Sequence, residues 1–326
     1  MTAPPPTVSV VVAAYDAERF LADALDSVAA QTAPPFETVV VDDGSTDRTA
    51  EVAARHPLGV RLVRQANAGS AAARNRGVAE ARGTHVAFLD ADDVWLPHKL
   101  ARQLAALART GARWGYADAW FVDAETGRRL GRWSDTHPAP EGDVARVLLA
   151  GNFVTVPTVL AERAVLDAVG GFPETLPGRA SISEDWALWL RVAVDHPVAY
   201  VAEPCATIRQ HPGRKTETMD LDLALDARVR LVEGAVARAP ERLGGAAGRA
   251  LAGVHLGIAR KWIVRGEPGR ARAVLRGGLR HAPRHAPSLA LWALSWLPVP
   301  LRKGLGHVRT AYRALRRRSR PAPADP

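Results

Sequence analysis

The sequence predicts an α/β protein, with a mostly parallel sheet carrying helices on both faces and an α-helical appendage behind it. Two observations carry the first part. Through about the first hundred residues, short apolar runs alternate with stretches of helical periodicity. Each run also stops abruptly in polar side chains: Tyr15-Asp16, Asp42-Asp43, Gln65 to Asn67, and Asp90 to Asp92. In parallel sheets, ligands sit beyond the carboxyl ends of the strands. A third observation carries the appendage: from Asp220 onward, Ala, Leu and Arg recur at helical spacing.

Taken in order, residues 7–13 are a β-branched apolar run and predict a buried strand. Phe20, Leu21, Leu25 and Val28 then recur as one face of a helix. Residues 36–41 predict a second strand, residues 49–55 a helix, residues 60–64 a third strand and residues 71–81 a helix. Residues 86–89 predict a fourth strand, and Leu96 onward a helix through Leu100, Leu104 and Leu107. Further on, residues 151–160 read as a strand leading into a helix at 162–169 that Gly170-Gly171 closes. An apolar helix opens at Glu184-Asp185.

With 326 residues, 47% hydrophobic and 24% charged, the chain has enough material for one full domain plus the appendage. A single cysteine, Cys205, excludes an internal disulfide and any cysteine-built zinc site. Residues 1–6 are Pro-rich and uncharged, so no signal peptide is expected. The net charge of +9 is unevenly placed: residues 1–215 hold 22 Lys and Arg against 26 Asp and Glu, residues 216–326 hold 21 against 8. The basic excess therefore belongs to the C-terminal third and says nothing about the first domain's ligand.

The acids after the fourth run have two readings. In extended chain, residues two apart point the same way, so Asp90 and Asp92 converge beyond the strand end. They would repel each other unless a cation sits between them, and Mg²⁺ or Mn²⁺ suits such a pair beside a diphosphate. Alternatively Asp93 is a helix N-cap and its neighbours are solvated turn residues. Neither a Gly-x-Gly-x-x-Gly after the first strand nor a Gly-x-x-x-x-Gly-Lys-Ser/Thr is present, which removes the main support for dinucleotide and P-loop readings. Asp42 can accept from a base N–H or a ribose hydroxyl, and Tyr15 offers a flat face to a base ring. Arg74 can reach a base or a phosphate, or is simply a solvated helix charge.

Together, Val8 to Asp16, Val40-Val41-Asp42-Asp43-Gly44-Ser45-Thr46-Asp47, Asn67-Ala68-Gly69 through Ala73-Arg74-Asn75-Arg76-Gly77, and Phe88-Leu89-Asp90-Ala91-Asp92-Asp93 closely resemble the family 2 inverting glycosyltransferases. The resemblance covers residues 7–215 and implies the GT-A fold and a nucleotide-sugar donor, a UDP-sugar in the usual case. It implies that Ala13 or Ala14, Tyr15 and Asp42 hold the base with help from Arg74. It further implies that Asp90 and Asp92 are the Asp-x-Asp pair on donor ribose and metal. Ala14 and Asp16 stand where many relatives have Pro or Thr and Asn, which touches the base contacts and not the class. Acids opening an apolar helix are ordinarily N-cap and dipole partners; the resemblance implies instead that Asp185 is the general base. Glu184 and Trp186 would border the acceptor, with Glu184 orienting it or capping the helix. Arg209 and His211, in the stretch 205–215, would fold over the diphosphate as a lid, His211 being also a candidate metal ligand.

The resulting division is a GT-A domain over 1–215 and a helical region over 216–326. Ile258, Ala259, Trp262, Gly266, Ala271, Leu275, Gly278, Leu279 and Pro283 fit one tetratricopeptide-like hairpin. Residues 288–301 are apolar but too short to span a bilayer. Arg302, Lys303, Arg309, Arg313, Arg316 to Arg318 and Arg320 follow directly, a combination suited to an anionic membrane surface or to a solvated tail. No nucleic-acid reader accompanies the charge, so no nucleic-acid partner is expected. The expected activity is metal-dependent, inverting transfer of a sugar to a saccharide or lipid-linked acceptor, in the cytoplasm or on the inner face of the cell membrane. The alternatives are a nucleotidyltransferase, for which a Gly-rich phosphate loop and a Lys after the first strand are missing, and a non-catalytic sugar-nucleotide-binding protein at a membrane.

Overall fold

The computed structural model describes residues 5–174, 183–212 and 219–297. The chain terminus at 1–4, the lid residues 213–215 and the basic tail at 302–320 lie outside the described residues. Two compact units divide at Ala247/Gly248.

The first unit opens as β1 (Val8–Ala14), α1 (Leu21–Ala29), β2 (Glu37–Asp42), α2 (Thr49–Arg55), β3 (Arg61–Arg64), α3 (Ser70–Glu80) and β4 (His85–Asp90). It continues as β5 (Val94–Trp95), α4 (Lys99–Thr110), β6 (Trp114–Asp123), β7 (Arg129–Arg132), α5 (Ala145–Ala150), β8 (Leu160–Glu162), α6 (Arg163–Ala168), α7 (Glu184–Asp195) and β9 (Val198–Gln210). Helices α8 (Leu221–Arg238) and α9 (Pro240–Leu243) complete it, so the compact unit runs on past residue 215.

The sheet is mixed and largely parallel, in the order β3-β2-β1-β4-β8-β6-β9-β5, with β7 on β6. Parallel pairing of β1 with β2 and β4 sets Ala14 beside Asp42 and Ala13 beside Asp90. Three of the polar strand ends are thereby held on one rim. The short β8 runs antiparallel to both β4 and β6, which leaves β6 and its long partner β9 pointing the same way as β1 to β4.

Val10, Val12, Val40, Ala87 and Leu89 face α1 and α4, whose Leu21, Leu25, Val28, Leu100 and Leu107 close that side of the core. On the opposite side, Val39 and Val41 meet Ala73 of α3. A Cβ on Gly77 would overlap Val11 Cγ1, so glycine is what lets α3 lie this close to β1. An aromatic layer fixes α7 over the sheet: Trp189 stacks on Trp114 at 6.0 Å and lies 6.1 Å from Phe88, whose edge meets Phe172 at 5.3 Å. Because Phe88 is two residues before Asp90, this layer also sets the distance between α7 and the end of β4.

Two expected elements take another form. Residues 151–160 do not make a strand; only 160–162 pair with β4 and β6. Pro157 breaks the run, and the carbonyls of Pro157 and Thr158 accept from the side chains of Trp95 (2.8 Å) and Gln103 (2.7 Å) instead of from a neighbouring strand. Residues 205–210, expected to belong to a lid over the diphosphate, are the second half of β9. The misleading feature is Glu203-Pro204, which would end most strands. Here Pro204 lies opposite a register shift at Asp118 of β6, whose fully buried carboxylate is satisfied by Ser134 and Arg132.

The second unit consists of α10 (Ala247–Val264), α11 (Pro268–His281) and α12 (Ala286–Leu294). Helices α10 and α11 are joined by a turn in which Gly266 takes a φ of +82° and Glu267 N–H donates to Trp262 O at 2.9 Å. A Cβ on Gly278 would stand 2.7 Å from His255 Cβ, so a glycine allows the close crossing. No described helix is long and apolar enough to cross a membrane.

Candidate active site

Carboxylates lace together the three loops that follow β1, β2 and β3. Asp16, in a left-handed conformation at φ +44°, is held there by its own bonds: Oδ1 accepts from Thr46 N–H at 2.8 Å, and its N–H donates to Ser45 Oγ at 3.0 Å. Asp42 is fully buried, its Oδ1 accepting from Ser45 N–H (3.0 Å) and its Oδ2 from Arg64 Nε (2.9 Å). Its neighbour Asp43 binds the next loop, accepting from Gln65 Nε2, Ala68 N–H and Gly69 N–H at 2.8 to 2.9 Å. Gly44, which follows them, is required where this loop meets the one after β3, since φ is +78° and a Cβ would stand 2.8 Å from Asn67 N. Beyond this scaffold, with Ala13 behind it in β1, the Tyr15 ring is about half exposed.

A second cluster joins α3, β4 and α7. Buried Arg74 donates to Asp90 Oδ1 at 2.7 Å and to Glu184 Oε1 at 3.4 Å, and its guanidinium lies over the Phe172 ring. Ser70 Oγ donates to the same Glu184 oxygen at 2.6 Å. Burial opposes the arginine's charge, yet Asp90 and Glu184, with Asp185 further off, hold it above its ordinary range. The Arg74 guanidinium thus offsets the charge of Asp90 at the strand end. Half-buried Asp185 follows on the next residue of α7. Its Oδ2 accepts from Asn152 Nδ2 at 2.9 Å and its Oδ1 from the Trp186 N–H at 2.7 Å. Burial first, and then the charge of Glu184, push its carboxyl up to about 6. Ser183, before the helix, takes φ +66°, and its Oγ accepts from Arg228 Nε of α8 at 3.0 Å. Burial lowers Arg228 below the usual arginine range, against the attraction of Asp185.

The third group links the ends of β4 and β9. Asp92 Oδ2 and His211 Nε2 are 3.1 Å apart, and the His211 ring packs on Phe20. Buried Asp93 accepts from the backbone N–H of Arg209 at 2.9 Å, which ties the acidic turn to β9. The Arg209 side chain turns away to α1, where it donates to Asp23 at 2.7 Å over the Phe20 ring. Trp186 also turns inward, buried, with its indole N–H donating to Leu148 O at 2.6 Å. Among the described residues no group of three or more His, Cys, Asp and Glu is set to hold a metal ion. Asp92 and His211 nevertheless fit as two partly exposed donors, because Mg²⁺ and Mn²⁺ commonly complete their shell with water and substrate phosphate.

Residues 9–149 match the family model described as Glycosyl transferase family 2. These residues belong to that family. The glycosyltransferase domain is 48% identical over 99 residues to the uncharacterized glycosyltransferase alr2836 of Nostoc sp., covering 29% of this chain and 31% of that protein. Over 196 residues the chain is 28% identical to the Escherichia coli UDP-Glc:alpha-D-GlcNAc-diphosphoundecaprenol beta-1,3-glucosyltransferase WfgD, covering 60% of this chain and 72% of WfgD. The matches to the first curated relatives span 26% to 34% of those proteins. The crystal structure of S. aureus TarS 1-349 in complex with UDP aligns with a TM-score of 0.62 at 21% identity, over 89% of this chain and 90% of that one, which shows the GT-A fold.

Within the glycosyltransferase domain and its continuation, Arg74, Asp90, Glu184 and Asp185 come together as one cluster, and Asp92 meets His211. Asn152, Asp43 and Arg228 have site contacts that the sequence reading did not foresee. Arg228 had a signal, for it falls within the buried stripe of α8 formed by Ala224, Ala227 and Leu231. Asn152 had none, since its contact joins residues 33 apart across irregular chain.

Proposed function

We propose that this protein is an inverting glycosyltransferase moving a sugar from a nucleotide-diphosphate donor, a UDP-sugar, to a hydroxyl of a saccharide or lipid-linked acceptor. The observation that carries the reading is Asp185: a half-buried carboxyl pushed up to about 6, held by Asn152 and adjoining the Arg74–Asp90–Glu184 cluster at the rim of the sheet. Support for donor and acceptor comes from the relatives, TarS having been crystallised with UDP and UDP-GlcNAc, and WfgD being named for a UDP-Glc donor and a lipid-linked acceptor.

In this mechanism the acceptor oxygen attacks the anomeric carbon as the bond to the diphosphate breaks, giving inversion in one displacement. Asp185 takes the acceptor's proton. A carboxyl titrating near 6 is ionised at neutral pH yet basic enough to share a proton with the attacking hydroxyl. Asn152 and the Trp186 N–H keep the carboxylate oriented, while Arg74 positions Asp90 and Glu184 and offsets their charge. Tyr15, Ala13 and Asp42 border the base, and Asp90 the ribose. Asp92 and His211 would hold Mg²⁺ or Mn²⁺, which when bound supplies positive charge against the leaving diphosphate.

For the second unit we propose an anionic membrane surface as partner, in keeping with a protein on the inner face of the cytoplasmic membrane. Glu267 is the one acidic residue between 248 and 297, and Val264, Leu289 and Trp296 are exposed beside the arginines. Vesicle sedimentation checks it: the protein should pellet with anionic vesicles and be released by salt, and failure to pellet at low salt removes this partner.

The transfer reading is tested by supplying UDP-sugars one at a time with Mn²⁺ and a mixture of sugar and prenyl-linked acceptors, and following UDP release together with the product's anomeric configuration by NMR. Acceptor-dependent release with inverted product is expected. Retained configuration, or binding of UDP-sugars without any transfer, would overturn the mechanism.

A further inference from the structure

Helices α7 and α8 enclose a groove of about 220 Å³ that contributes nothing to the cluster around Asp185. Its floor is apolar, formed by Ala187, Leu190 and Val194 of α7 with Leu231 and Ala235 of α8. Arg191, Arg230 and Arg238 border it. Arg230 is neutralised within its own helix by Asp226, whose two oxygens accept at 3.1 and 2.9 Å. The other two are not neutralised. Arg191 donates only a long bond, 3.5 Å, to Val169 O, and Arg238 has no hydrogen-bond or ion-pair partner among the described residues.

Arg191 is partly buried beside this apolar floor with no carboxylate against it among the described residues, and Arg238 stands exposed at the rim. Arg191 and Arg238 line the same groove, and burial, followed by the charge of Arg238, depresses Arg191 below its usual range. Arg238 ends α8, where the helix dipole favours a cation. Arg191 has no such explanation, since it lies on the groove side of α7 ahead of that helix's last turn. A carboxylate would satisfy one planar fork, whereas a phosphate monoester has the charge and the oxygens to engage both. The apolar floor calls for hydrocarbon directly behind the head. A groove of about 220 Å³ has room for a head group and the first several carbons of a chain, with exposed Arg238 at its border.

We propose that this groove binds the phosphate end of a lipid chain, with Arg191 and Arg238 on the phosphate and the α7–α8 floor on the first methylenes. The site stands on its own geometry and does not depend on the transfer reaction.

The test is calorimetry of the full chain with octyl phosphate below its micellar concentration, beside inorganic phosphate and octyl glucoside. Octyl phosphate should bind at least about tenfold more tightly than either control, since each lacks one half of the recognition, and the affinity should fall with salt. Arg191→Gln and Arg238→Gln should each weaken it about tenfold, the loss expected for one charged hydrogen-bonding partner. Gly234 lines the groove and nothing lies within 4 Å of a Cβ built on it, so Gly234→Phe starts from open space and should weaken binding by filling the groove. Asp185→Asn should leave binding unchanged, which separates the groove from the proposed active centre. Equal binding of inorganic phosphate would make this a plain anion site, and equal binding of octyl glucoside a plain apolar one; either result overturns the proposal. So does unchanged affinity in Arg238→Gln, an exposed helix-end variant with no reason to misfold.

Discussion

The guanidinium of Arg74 meets the carboxylate of Asp90 at 2.7 Å, and this contact joins the third helix to the end of the fourth strand beneath the cluster that holds Asp185. One arginine therefore offsets charge at three acids, Asp90, Glu184 and Asp185. Arg74→Gln leaves these acids to repel one another. Breaking a buried ion pair from one side typically costs about 3–5 kcal/mol, so the melting temperature should fall markedly. Because Arg74 lowers the Asp185 carboxyl against burial, its loss should also move the acid limb of the pH–rate profile upward. An unmoved limb in a folded variant would remove Arg74 from the proposed centre.

Asp185→Asn separates the base from a structural acid of the first turn. Ser183, not Asp185, is the N-cap of α7, and an Asn at 185 can still accept from the Trp186 N–H, so stability should change little. Loss of general-base help costs about 10²–10⁴-fold in rate, while calorimetric affinity for the donor should stay near that of the parent. The sign of the pH effect follows from the raised carboxyl. Transfer should fall as pH drops through about 6, where Asp185 takes up its proton, and the variant's residual rate should not show that limb. Preserved transfer would return Asp185 to a structural role.

Asp92→Asn and His211→Ala address the metal. If the two residues hold the ion, UDP binding measured by calorimetry should lose its dependence on Mn²⁺ in each variant. Metal-free affinity should be much less affected. Undiminished metal dependence in both variants would move the ion elsewhere.

Lys99 is fully buried beneath the Trp95 ring, 4.0 Å from its centroid, and donates to Gln103 Oε1 at 2.6 Å. Burial pulls its ammonium down to about 7 from 10.5. The sign is that of a cation depressed on folding. Between about 7 and 10.5 the unfolded chain holds more protons than the native one, so this group's contribution to stability rises with pH across that window. Below about 7 the native state bears the cost of a buried charge. Thermal melts of Lys99→Met should therefore exceed the parent most at pH 6, with the difference shrinking toward pH 10. A constant difference would mean that Lys99 does not titrate in this range.

The first four strands were legible because a parallel strand buried on both faces is a continuous apolar run, and Val8–Ala14 and His85–Asp90 match their predicted spans closely. Strand Val198–Gln210 was hidden by its internal Glu203-Pro204, which only the shift opposite Asp118 accommodates. The candidate residues that stood out in the sequence were acids interrupting apolar runs, Asp42, Asp90, Asp92 and Asp185. What remained hidden was partnership. Nothing local says that Asp43 binds the following loop while Asp42 turns to Arg64, nor that Arg209 sends its side chain to Asp23, 186 residues away. Such pairs are set by strand order, which periodicity does not report.

Strand β6 has a consequence for anyone who would cut or graft this protein. Two of its three partners, β8 and β9, come from residues 160–162 and 198–210, beyond the stretch 9–149 that defines the family. A fragment ended at 149 would leave a ten-residue ribbon from Trp114 to Asp123 with its β9 side open, ready to recruit the same ribbon from another copy. The exchangeable module is therefore longer than the signature that announces it. A chimera between relatives has to carry the returning strand through Gln210 and His211, so that the imported sheet arrives with the seam on which it closes.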